Sequence, residues 1–279
     1  MKRLIAACAA GLLMATLPAC TQTSRVDVPL PREAAGPPTT TGRPGVTTPA
    51  DPGAPAVTAA PDAADFSFMR LKEDNDEELI DISYPVLQSP ASPEAAPVND
   101  KIIKAVDDMV VGFMDAAEVA PPGNSRSTLT LQAAPELISD EVFSVSGVFF
   151  EFVRGGDPTT KRVAWIFSLE TKSLVTPAEL FIDGSLEHLA AAAADHLVSD
   201  VLGEAAAITA PEGLQPTPVN FDAVWLTTTG IGVGFDQYQV TSGDAGSPAV
   251  LIPFGELIEV LDKTGILAPL QTGSTLPGV

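Results

Sequence analysis

The stretch Gly230-Ile-Gly-Val-Gly-Phe-Asp-Gln-Tyr-Gln-Val240, with Phe221-Asp-Ala-Val-Trp-Leu-Thr227 just before it, decides the fold. Apolar side chains alternate with glycine over Ile231 to Phe235, the period-two signature of a strand. One face packs, and the glycine face lets a backbone, a helix or a ligand come close. The two runs read as neighbouring strands. Ser242 to Pro248 is a loop, Ala249 to Pro253 a last strand, and a short helix through Leu261 is closed by Gly265.

Upstream the rhythm is similar. Leu186, Leu189, Ala193, Leu197 and Val201 stripe a helix that follows Asp183-Gly184-Ser185 and ends near Gly203. Phe66 to Leu71 and Leu79 to Tyr84 flank the acidic run Glu73 to Glu78, which predicts a hairpin with a charged turn, its second strand ended by Pro85. Ile102, Val106, Met109, Val110, Phe113 and Ala117 keep helical spacing, with Asn99 as N-cap and Pro121-Pro122-Gly123 as the stop. Thr128 to Ala133 alternates polar and apolar residues as a half-buried strand does. Val142 to Val153 and Val163 to Glu170 bracket Gly155-Gly-Asp-Pro158, giving two more strands joined by a loop. Strands in hairpins with helices between groups of them predict an α+β fold: a mainly antiparallel sheet, two principal helices and a short C-terminal helix. The expected organisation is one domain or two closely packed lobes, 65–173 and 174–270, followed by a fraying tail, 271–279.

The amino terminus carries the address. Lys2 and Arg3 precede an apolar run, Leu4 to Leu17, too short for a permanent span, and Leu17-Pro18-Ala19-Cys20 reads as a lipobox. Residues 1–19 are expected to be a signal peptide. Cys20 becomes the lipid anchor, carrying diacylglycerol and an acyl chain such as palmitate on the outer, extracytoplasmic face of a membrane. Cys8 falls in the signal peptide, so no disulfide or cysteine nucleophile remains in the mature chain. Thr21 to Ala64 is rich in Pro, Thr, Ala and Gly without one aromatic, so 20–64 reads as a disordered tether. Its 44 residues after Cys20 reach roughly 35–40 Å as a coil and ~130 Å fully extended.

Charge is divided just as sharply. Residues 1–62 hold five basic and four acidic side chains, and residues 63–279 hold ten and thirty-two. An acidic folded part repels nucleic acid and attracts cationic partners at rates that fall with salt; an acidic surface also simply keeps an exported protein soluble.

Catalytic constellations are sparse. His188 and His196 share one helix with no G-x-S-x-G elbow to accompany them. His188 and Asp195 lie seven apart and lack a third metal ligand, which leaves them as exposed helix residues. Asp74, Asp76 and Glu78 alternate like a calcium loop, but Leu79 stands where its glycine belongs, so the run reads as a solvated turn. Adjacent Asp107 and Asp108 point about 100° apart on a helix and cannot act as a pair. No metal or cofactor is expected. A groove over Gly232 and Gly234, edged by Trp225, Asp236 and Tyr238, is the candidate ligand site, with aromatic rings for a sugar or peptide. The alternative is that the glycines accommodate a packed neighbour.

Several of these runs resemble a known family. Ile82-Ser-Tyr-Pro-Val86, Glu179-Leu-Phe181, Gly230 through Tyr238, and Gly246 through Ile252-Pro-Phe-Gly-Glu-Leu257 are similar to the domain shared by the anti-sigma factor RsiV, the non-catalytic part of the deacetylase PdaC, and mycobacterial secreted immunogenic proteins. Phe254 stands where that pattern usually has Tyr. The resemblance covers nearly all of 65–270. It implies an extracellular α+β domain and adds Tyr84 to the candidate ligand-binding residues. It does not imply one function, because the family includes a lysozyme sensor and an accessory domain on an enzyme. The expectation is therefore a membrane-anchored lipoprotein acting as a non-catalytic cell-envelope binding module for a wall glycan, a wall peptide or a cationic protein such as a lysozyme. A weak esterase or wall hydrolase is the alternative.

Overall fold

The computed structural model describes residues 33–34, 66–88, 95–273 and 275–278. Cys20, the signal-peptide reading of 1–19 and most of the 20–64 tether reading lie outside them. The described chain is α+β, as the patterning predicts. Seven strands form one sheet in sequence order: β1 (Glu33–Ala34), β2 (Phe66–Asp74), β3 (Glu78–Leu87), β4 (Ser127–Ile138), β5 (Val142–Phe152), β6 (Thr159–Ser168) and β7 (Ser173–Leu174). All neighbours are antiparallel except β3 and β4, which pair in parallel. A parallel pair needs a crossover, and α1 (Ala95–Glu118) supplies it. A second sheet holds β8 (Val224–Leu226), β9 (Gly230–Gly234) and β10 (Ala249–Pro253) in the order β10-β9-β8. The remaining helices are α2 (Glu187–His196), continued by a π-helical segment Leu197–Leu202, and the short α3 (Phe254–Leu257). Gly203 ends the second helix at φ +79°, a conformation glycine adopts without strain.

Two buried cores form, and the second draws Leu137, Val142 and Ile166 from the first sheet. Val98, Ile102, Val106, Val110, Phe113 and Ala117 bury one stripe of α1 against Ile80, Ile82, Leu129, Leu131, Val145 and Phe149. In the other, α2 and its π-helical continuation lay Leu189, Ala193 and Leu197 over Ile231, Val233, Val250 and Ile252. The sheet divides between them: Phe143 and Val145 face the first core, Val142 and Ile166 the second. Val142 to Gly147 are therefore all buried, because both faces of β5 are covered. Leu226 N–H donates to the buried Ser144 Oγ at 2.8 Å, tying β8 to β5.

Local expectations fail where tertiary partners intervene. Pro85 does not end its strand: β3 runs to Leu87, and β4 stops pairing with it at Ser83, so the proline sits where no ladder donor is required. Asn99 is not an N-cap. The helix starts at Ala95, with Pro97 in a first turn that needs no intrahelical donors, and Asn99 instead binds Leu87 N–H and C=O, both at 2.9 Å. The strand expected over Gly230 to Val240 stops at Gly234, because Asp236 to Gln239 closes a turn with Tyr238 at φ +70°. Within the segment read as tether, Glu33–Ala34 adds antiparallel to Arg70 and Met69, since the open edge of β2 accepts any extended chain. The carboxyl-terminal segment does not simply fray: Leu276 is buried and donates its N–H to Thr228 C=O at 2.8 Å. Among the described residues no helix is long and apolar enough to cross a membrane.

Candidate functional site

The four candidate residues do not converge. Tyr84 is 3% exposed inside the first core. Trp225 is 8% exposed and directly opposite Gly232 in the β8–β9 register; a Cβ on Gly232 would overlap its indole. Over Gly234 lies the stem of Arg162, whose Cγ would be 2.6 Å from an added Cβ. The glycine face is thus filled by protein. Tyr238 is 63% exposed on the turn, its ring close over Gly243. The motif residues Leu180, Phe181 and Phe254 are core, and Glu179 accepts from the Thr176 N–H at 2.6 Å and Oγ1 at 2.7 Å. Those bonds hold the Glu179 carboxyl below its ordinary range.

Asp236 does reach a concavity. A cleft of about 350 Å3 lies where α1, β5 and β6 meet the loops bearing Asp222 and Asp236. Met109, Phe113, Phe149 and Val163 supply its apolar lining, and Asp108, Glu151, Lys161, Arg162, Asp222 and Asp236 its charges. Asp236 is positioned by three backbone links. Its Oδ1 accepts from Arg162 N–H at 2.9 Å, its own N–H donates to Gln239 Oε1 at 2.8 Å, and Gln237 N–H donates to Thr160 C=O at 2.9 Å. The turn thereby docks beside the first residues of β6, past the end of β9. Burial pushes the Asp236 carboxyl above its ordinary range, against the Arg162 N–H and the nearby Lys161 ammonium. Asp222, at the solvent-open rim, is also raised, first by desolvation and then by the Asp236 charge. Arg162 itself is committed elsewhere, donating from Nε and one terminal nitrogen to Ser247 C=O at 3.0 and 2.8 Å. Sequence reasoning could name Asp236 but not Asp222, Lys161 or Gly112, which carry no local signature.

The histidines separate in role. His188 is exposed. His196 is held between Asp200 Oδ2, 2.7 Å from Nδ1, and Glu256 Oε2, 3.1 Å from Nε2, which joins α2 to α3. Ser199 Oγ donates to Asp200 at 2.5 Å rather than to the imidazole, so no hydroxyl is activated there. Among the described residues no group of three or more His, Cys, Asp or Glu is placed to hold a metal ion. The acidic run of the first hairpin is an Asx turn, Asn75 Oδ1 accepting from Glu77 and Glu78 N–H at 2.8 Å.

The bond to Asp200 raises the His196 pKa; burial opposes it and Glu256 adds to it. A raised folded pKa gives stability that is complete below about pH 6.5 and lost as pH rises through the folded value. Asp200, lowered first by Ser199 and then by His196, contributes above its ordinary pKa and loses that contribution in acid. Both carboxylates are about half exposed, so screening keeps the clamp to about 0.5–1 kcal/mol. Urea midpoints of wild type and His196→Ala should differ more at pH 5.5 than at pH 9. A gap independent of pH would remove the clamp.

No family model matches the chain, and no curated protein matches it. Solved structures do share its fold. A DUF3298 family protein from Pseudomonas aeruginosa PAO1 superposes with a TM-score of 0.53 at 16% identity, over 72% of this chain and 95% of that one. A DUF3298 family member from Bacteroides fragilis NCTC 9343 gives 0.54 at 13% identity, over 75% and 98%. At such identities the likeness is one of fold.

Proposed function

We propose that this chain is a lipoprotein held by diacylglycerol on Cys20 at the outer face of a membrane, and that its acidic domain works without catalysis, by capturing a cationic partner of the cell envelope. The observation that carries the reading is the charge division, ten basic against thirty-two acidic side chains over 63–279. The candidate partners are a basic protein such as a lysozyme and the amine-bearing peptides or glycans of the wall; nucleic acid is repelled. The cleft supports the reading with four carboxylates, Asp108, Glu151, Asp222 and Asp236, on its lining.

Electrostatic capture is screened within about 10 Å at 0.1 M salt and about 3 Å at 1 M. The immobilised full chain should retain a basic lysozyme at about 20 mM salt and release most of it at about 500 mM. Absence of retention at both salts ends the proposal for basic proteins. Mass spectrometry of membrane-extracted protein should find the mature amino terminus at Cys20 with an acyl-glycerol adduct; an unmodified Met1 terminus would end the anchor.

A further inference from the structure

Gly112 lies in the interior of α1, where glycine costs helix stability relative to alanine. Nothing in the packing requires it: a Cβ there would have no atom within 4 Å. The residue lines the cleft, and the missing side chain leaves the space open. The neighbouring wall is apolar, Met109, Phe113, Phe149 and Val163, while Asp222 and Asp236 bring two carboxylates to the same cleft, the charge of Asp236 acting on Asp222. Among the described residues the Asp236 carboxylate accepts one hydrogen bond, through Oδ1 from Arg162 N–H, so its other carboxylate oxygen can accept from a ligand. Lys161, an exposed ammonium near both carboxylates, is the only other cation of the cleft lining besides the committed Arg162.

We infer that this cleft binds a lysine-type alkylammonium side chain, its methylene stem along the part-exposed Met109 and Val163 and its ammonium between Asp222 and Asp236. An open volume of about 350 Å3 is near the lower end of small-ligand pockets, about 300–1,000 Å3, and suits one side chain better than a sugar chain. A charge without a stem would forgo the apolar wall, and a stem without a charge would offer the two carboxylates no counter-charge. Lys161 is the internal competitor, a mobile point charge that the incoming ammonium replaces. The inference rests on the capture reading and names the site at which a cationic partner would be engaged.

The test is titration of the full chain with Nα-acetyl-lysine amide, followed by amide chemical shifts, with Nα-acetyl-norleucine amide as the uncharged stem. Saturable shifts are expected around Asp108 to Phe113 and Lys161 to Val163 for the lysine probe, and none for norleucine. Gly112→Leu should abolish them with the fold intact, Asp236→Asn should weaken binding tenfold or more, and Lys161→Ala should tighten it severalfold. Asparagine keeps the Oδ1 acceptor for Arg162 N–H, and Asp222→Asn at the rim provides a second variant with less structural risk. Equal shifts from norleucine, or lysine binding unaltered by Gly112→Leu, would overturn the inference. Lysozyme retained equally by wild type, Gly112→Leu and Asp236→Asn leaves the capture reading standing and removes the cleft; lysine binding without lysozyme retention does the reverse.

Discussion

Phe235→Ala is expected to cost about 3–5 kcal/mol and to lower the melting temperature by roughly 6–20 °C for a domain of this size. The ring is 0% exposed in the second core and meets Phe221 edge to face, with centroids 5.9 Å apart at 78°. Deleting it forfeits the transfer of the large side chain that immediately follows β9, and the space left behind adds to the loss unless neighbours collapse into it. Collapse is restricted because the Phe235 backbone is held from both sides: its N–H donates to Pro248 C=O at 2.9 Å, and its C=O accepts from Ser247 Oγ at 2.9 Å. The cost should therefore fall in the upper part of the range. Denaturant unfolding of the two chains measures it, and a loss below about 1 kcal/mol would mean that the second core repacks freely.

Gly232→Val is expected to destabilise by about 3 kcal/mol for the opposite reason, overpacking. The added branch would enter the space held by the indole of Trp225 on the neighbouring β8, itself 8% exposed. Neither partner is a flexible chain end. In the Trp225→Ala background the same substitution should cost at least about 1 kcal/mol less, since the two residues share one volume. Additive losses would show that Gly232 serves something other than the tryptophan.

The packed neighbour at Gly232 marks where sequence reading reaches its end. Alternating glycine in Ile231 to Phe235 requires that something come close; it does not say that the visitor is Trp225 from the adjacent strand and Arg162 from β6. Likewise the period of Val98 to Ala117 announces a one-sided helix, and the alternation of Thr128 to Ala133 a strand with one buried face. These readings hold because side-chain direction along a helix or strand follows from backbone geometry alone.

Contacts between distant segments obey no such local rule. Asn99 has the chemistry of a cap, yet it serves the end of β3, because the parallel pairing with β4 stops short and leaves the Leu87 N–H and C=O to be satisfied. His196 and Glu256 stand sixty positions apart and meet only because α2 and α3 pack on one sheet. The cleft is the clearest case. Gly112, Lys161, Asp222 and Asp236 belong to four separate segments with no shared pattern. The sequence by itself determined the types of the principal helices and strands and the acidic character of the domain. Only the tertiary structure decided which residues share a surface, because strand register and helix placement are set by burial summed over the whole chain rather than by any one segment's neighbours.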